Sequence, residues 1–122
     1  MIRKLKVLHC LRAPVGGLFR HVVDLARAQS ERGHAVGILC DASTGGAGAQ
    51  AILAELAPRL ALGLTRVPMG RGIGFGDVPA FRGATALCRR HGVDVLHGHG
   101  AKGGAYGRLA AAALAWQGRA VA

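Results

Sequence analysis

Apolar residues fall into short runs, separated by longer stretches in which they recur every three or four positions. Leu5-Lys-Val-Leu-His-Cys-Leu11 is a short apolar run suited to a buried strand. After a turn at Pro14–Gly17, Leu18, Val22, Leu25 and Ala26 recur at helical spacing, with Phe19 and Val23 adjoining them. Gly33 ends that helix as a C-terminal glycine does. Ala35–Cys40 reads as a second strand, and a loop at Asp41–Ala49 leads to a short helical pattern near Ala51–Leu56, broken before Pro58. Thr65-Arg-Val67 is a weak third strand, followed by a glycine-dense loop at Gly70–Gly76. Asp77 then reads as the N-cap of a helix marked by Phe81, Ala84, Leu87 and Cys88 and running to Arg90. Val93–His97 is a fourth strand, a glycine-rich loop carrying Lys102 follows, and Ala105–Trp116 is a fourth helix. Gly118–Ala122 reads as a turn and the first residues of a fifth strand.

Strands that alternate with helices predict an α/β fold: a Rossmann-like parallel sheet with helices on both faces. A chain of 122 residues leaves room for one domain, residues 1–122, and no second core. At that size roughly two-thirds of the unfolded surface is buried on folding. The 20 glycines are about twice the usual share and, scattered between periodic segments, read as tight turns. No apolar run reaches the roughly 18 residues that span a bilayer. The basic, then apolar start of the chain is too short for a signal peptide and lacks its cleavage site, so it reads as a strand and the protein as cytoplasmic. Cys10, Cys40 and Cys88 form neither a CxxC pair nor a zinc pattern and read as buried thiols.

A net charge of +10 admits nucleic acid, anionic lipid or phosphorylated substrates as partners. The basic residues are dispersed and no aromatics interleave with them, which argues against a stacking platform for single strands. Arginine far outnumbers lysine in an alanine- and glycine-rich chain, so a GC-rich coding sequence explains the charge equally well.

Candidate chemistry gathers at two strand–turn–helix junctions, where open α/β sheets bind their ligands. At the first, Gly16-Gly17 either brings side-chain-free backbone to a phosphate at a helix start or serves a turn needing positive φ. Arg20 and His21, one turn on, face the same cleft or solvent. At the second, His97-x-His99 precedes Lys102 and Gly103. Three readings of the histidine pair stand: half of a metal site, packing under the sheet end with the other ring solvated, or polar contacts to a substrate. The cation at Lys102 opposes a metal, and contact with substrate is the favoured reading. Gly70-Arg-Gly-Ile-Gly-Phe-Gly76 fails the dinucleotide fingerprint on register and position, and no Gly-Lys-Ser/Thr occurs for a Walker loop.

Taken together, the first strand, the Gly16-Gly17 turn into Leu18–Ala26, Glu31-Arg-Gly-His-Ala-Val36 and Val93-Asp-Val-Leu-His-Gly-His-Gly100 resemble the amino-terminal domain of the family 4 glycosyltransferases of GT-B fold. The resemblance covers almost the whole chain. It implies transfer of a sugar from a nucleotide-diphosphate donor to an acceptor glycan or lipid-linked sugar, with no required metal and no cofactor. Gly16 and Gly17 would face the donor phosphates, and Arg20, His97, His99, Lys102 and Gly103 would line the acceptor side of the cleft. No residue of the chain is expected to be catalytic. Relatives often work at the cytoplasmic membrane face, which implies peripheral contact with anionic lipid; nucleic acid is not an expected partner.

The departure from the family is the absence of a Thr-x-His-Gly-like segment and of a second Rossmann-like domain that holds the donor. The chain therefore reads as a truncated glycosyltransferase, inactive alone. The competing readings are a stand-alone Rossmann-like nucleotide- or phosphate-binding module and a half-protein that needs a separate partner. Nucleic-acid binding, resting on charge alone, ranks last.

Overall fold

The computed structural model describes residues 3–70 and 77–116. Among these residues four strands, β1 (Lys6–Cys10), β2 (Ala35–Asp41), β3 (Gly63–Val67) and β4 (Val95–Gly98), form one parallel sheet in the order β3-β2-β1-β4. Four α-helices connect them: α1 (Gly16–Glu31), α2 (Gly46–Leu56), α3 (Asp77–His91) and α4 (Gly100–Trp116). A 3-10 turn at Ala57–Arg59 joins α2 to β3, with Pro58 in a position that suits a helix start. The expected α/β parallel sheet is present.

Alternation along each strand divides the core into two layers. Leu8, Cys10 and Leu39 point to the side covered by α3 and α4, where they meet Ala84, Cys88, Tyr106 and Leu114. Val36, Ile38 and Cys40 point to the other side, where Phe19, Val22, Val23 and Ala26 of α1 and Leu53 and Leu56 of α2 cover them. Full burial of Phe19, Val22 and Val23 stabilises the docking of α1 by about 1.5–3 kcal/mol for each side chain. Helices thus cover both faces, as strand–helix alternation predicts. Cys10, Cys40 and Cys88 are all buried, and burial pushes the Cys10 thiol up to about 12.

Two elements differ from the sequence expectation in the same way. The helices α2 and α4 each begin five residues earlier than expected, at Gly46 and Gly100 instead of Ala51 and Ala105. Glycines that read as loop are therefore helical in spite of their poor propensity, and in α4 packing overrides it. At Gly103 the first turn of α4 lies directly on β1: a Cβ there would sit 2.2 Å from the Cys10 carbonyl oxygen. A Cβ on Gly98 would likewise sit 2.4 Å from the Gly103 carbonyl oxygen. These glycines admit a close helix–strand approach, one of the roles glycine plays at such junctions. The expected glycine-rich loop around Lys102 is therefore corrected to helix. The expected loop at Gly70–Gly76 and fifth strand at Gly118–Ala122 fall, apart from Gly70, outside the described residues.

Strand order also fixes where a ligand crevice opens. From β1 the chain moves outward through β2 to β3, then α3 carries it back across β1 to β4 on the opposite flank. The carboxyl ends of β1 and β4 therefore flank the point where the winding reverses, the position at which open α/β sheets take ligands.

Candidate functional site

At this reversal point the parallel register places His9 of β1 directly beside His97 of β4. Their ring centroids are 5.3 Å apart. His99, just past β4, projects to the same side as His97, and their rings stack at 3.9 Å. His21 of α1 approaches His99 edge-on at 6.2 Å. Four of the six histidines of the chain thus meet at one strand end. His9 and His99 are buried, while His97 is partly exposed.

Hydrogen bonding orders the buried pair. His9 Nε2 lies 2.7 Å from Gln29 Oε1 on α1. With a carbonyl oxygen as partner, that nitrogen carries the His9 proton, and Nδ1 is left as an acceptor. His99 Nε2–H donates to it across 2.9 Å. Burial pulls the His9 pKa below the usual histidine range, the Gln29 bond opposes this in part, and His97 and His21 add to the depression. His99 is lowered to about 4, by burial first and then by His97, His9 and His21. Both buried rings are neutral at pH 7.

The first junction opens elsewhere. Gly16, Gly17 and Arg20 line one end of a cleft of about 690 Å³ that runs between α1 and α2, past Gly45 and Gly48, to Asp24, Arg27 and Glu55. Gly16 takes φ +75°, so the turn does require positive φ there. Val15 precedes α1 with no side-chain capping bond, and Gly16 and Gly17 are exposed at that end. The first-turn N–H groups of a helix have no partner within the helix, which suits them to an anion.

Lys102 and Gly103 stand apart from both groups. The Lys102 ammonium pairs with Asp77 at the start of α3 and lies 3.4 Å from the Tyr106 hydroxyl. Tyr106 O–H also donates to Asp77, and burial, followed by that carboxylate, raises the phenol pKa. Asp77, expected as an N-cap, is the first residue of α3 and uses its carboxylate in these contacts. Gly103 is buried against β1. The residues expected on the donor and acceptor sides of one cleft thus lie in three places. His97 and His99 come together at the strand end, Gly16, Gly17 and Arg20 share the α1–α2 cleft, and Lys102 with Gly103 ties α4 to α3 and β1. Sequence reasoning missed His9, Gln29 and Asp77. The signal for His9 was its place in the first strand, whose end adjoins the fourth in any sheet wound this way.

Among the described residues, no helix is long and apolar enough to cross a membrane. Residues 15–122 match the profile of Glycosyltransferase Family 4. A glycosyltransferase from Rickettsia africae ESF-5 superimposes with a TM-score of 0.67 at 19% identity, over 94% of this chain and 28% of that one. MurG from Acinetobacter baumannii gives 0.66 at 18% identity, over 89% of this chain and 32% of MurG. The C-terminal domain of the PF1911 hydrogenase from Pyrococcus furiosus gives 0.55 at 14% identity, over 98% and 92%. The chain thus spans less than a third of the length of the first two structures. No curated protein matches the sequence significantly.

Proposed function

Because the chain belongs to glycosyltransferase family 4, we propose that it is the acceptor-side domain of an enzyme moving a sugar from a nucleotide-diphosphate donor to a glycan or lipid-linked acceptor. The observation that carries this reading is the uncapped, exposed start of α1 at Gly16-Gly17, opening on a cleft that also holds Arg20. Backbone N–H groups and a guanidinium are suited to a diphosphate leaving group, because they are already in place as negative charge builds on it. The partly exposed His97, at the point where the sheet winding reverses, is the acceptor-side contact in this scheme, with the buried His99 ring stacked behind it. Lys102 acts on the site through Asp77 and Tyr106, holding the start of α4 against α3. Peripheral contact with anionic lipid, at about 1 kcal/mol per well-placed basic residue, would bring a lipid-linked acceptor to the domain.

The chain provides one wall of the cleft, and the donor base and sugar are assigned to a second domain. Two measurements test this. The 122-residue chain is expected to bind a nucleoside diphosphate weakly by calorimetry, with affinity reduced severalfold by Arg20→Ala. It is also expected to give no sugar transfer and no donor hydrolysis. Turnover above blank by the chain alone would contradict the assignment, as would diphosphate binding indifferent to Arg20. The exposed, uncapped start of α1 at Gly16-Gly17 also fits one second reading, a stand-alone nucleotide- or phosphate-binding module. Tight binding of a complete nucleotide by the chain alone would select it.

A further inference from the structure

Sugar transfer as proposed above has no use for the depth of the histidine cluster. A substrate contact needs one exposed imidazole, yet three rings converge here, two of them buried. One ring nitrogen from each of His9, His97 and His99 lies within 4.8 Å of the others. We propose that these three histidines form a binding site for a late first-row divalent cation of the zinc, cobalt or nickel type.

Three observations support the assignment. First, the donor set is all imidazole nitrogen, which suits these ions and not the oxygen-seeking magnesium or calcium. Tetrahedral zinc with Zn–N bonds of about 2.0–2.1 Å puts neighbouring ligand atoms about 3.3 Å apart. The 2.9 Å between His9 Nδ1 and His99 Nε2 is close to that edge. The cation takes the place of the proton that now bridges the two nitrogens, and that proton moves to the other nitrogen of the His99 ring. Second, Gln29 already holds the far nitrogen of His9 at 2.7 Å, turning Nδ1 towards the cluster. Metal-bound histidines are oriented in this way by an outer hydrogen-bond acceptor. Third, two of the three ligands sit on paired strands, His9 opposite His97, so the sheet holds their backbones side by side, and rotation of the His97 ring out of its stack on His99 turns its edge to the ion.

The charge that opposes a metal in the sequence is directed elsewhere. Lys102 pairs with Asp77 on the start of α3. Three protein ligands leave a fourth position for water or a substrate oxygen, and the partly exposed His97 marks the way in. Cation binding does not depend on sugar transfer, so the two assignments fail separately.

The test is titration of the untagged 122-residue chain with Zn²⁺ by calorimetry and with Co²⁺ by visible absorption. One cation per chain is expected, with the d–d absorption of tetrahedral Co²⁺ on nitrogen ligands. His97→Ala and His99→Ala should each weaken binding at least about tenfold, Gln29→Ala by about tenfold, and His91→Ala not at all. Circular dichroism reports whether each variant is folded. Should His99→Ala unfold, the partly exposed His97 still decides the question. Absence of saturable binding by the folded chain, binding that survives His97→Ala, or thiolate-to-cobalt charge transfer pointing to the cysteines would each overturn the proposal.

Discussion

Two neighbouring strand ends carry buried polar side chains and treat them in opposite ways. At the end of β2, Asp41 is fully buried as a carboxylate. Ser43 Oγ donates to both its oxygens at 2.9 and 2.8 Å, Thr44 Oγ1 donates at 2.6 Å, and the Met69 N–H donates at 2.7 Å. Its own carbonyl accepts from Arg66. At the ends of β1 and β4 the buried groups are neutral imidazoles whose hydrogen bonds, among the described residues, run to Gln29 and to each other. A carboxylate held by four donor bonds fixes a loop in place; a ring nitrogen bonded to another imidazole can exchange that partner for a ligand. Asp41 is accordingly structural, and the histidine cluster sits where the topology also opens a crevice.

Breaking the saturated end should have the largest effect. Asp41→Asn keeps the size but turns an amide N–H₂ towards donors that need an acceptor. It should cost about 3 kcal/mol in urea unfolding, because buried donors are left without partners. The same carboxylate predicts an acid limb. Burial alone would raise its pKa, but the bonds from Thr44, Met69 and Ser43 outweigh burial and hold it at about 2. A folded pKa below the unfolded value gives stability that is present above about pH 4 and lost as the pH falls through 2. The loss should be about 2 kcal/mol in unfolding measured across that window, and absent from Asp41→Asn.

The glycines allow a second comparison. Gly103→Ala forces a Cβ to 2.2 Å from the Cys10 carbonyl, a backbone contact that no rotamer relieves. It should lower stability by about 3 kcal/mol. Gly17→Ala meets nothing within 4 Å, and its stability should change by no more than about 0.5 kcal/mol. Equal losses in thermal unfolding would show that the α4–β1 approach is looser than described. His99→Leu should cost only about 1 kcal/mol, since it leaves one acceptor on His9 unpaired and fills the space with an apolar side chain. A loss as large as that of Asp41→Asn would mean that the cluster is structural, and the contrast between the two ends would fail.

Much of the fold is legible from periodicity. The four strands, the amphipathic α1 ending at Gly33, and α3 from Asp77 follow from short apolar runs and helical spacing. Gly33 takes φ +89° and its N–H bonds back to the Ser30 carbonyl, which is how a glycine closes a helix. The starts of α2 and α4 were hidden because Gly46, Gly48, Gly103 and Gly104 have poor helix propensity, and the packing of Gly103 on Cys10 joins residues distant in sequence. The candidate site was half legible for a similar reason. His97-x-His99 and Gly16-Gly17 are visible as local motifs, whereas His9 joins the cluster through a strand pairing 88 residues away in sequence. Asp41 looks like an ordinary loop residue until Met69 is brought to it.

The most direct measurement is an amide NMR titration of the ¹⁵N-labelled chain with a nucleoside diphosphate, following both junctions and the Asp41 loop together. The account predicts saturable shifts at Gly16, Gly17 and Arg20, smaller ones around His97–His99, and none at Ser43, Thr44 or Met69. Shifts centred on the Asp41 loop, or none at the start of α1, would contradict it.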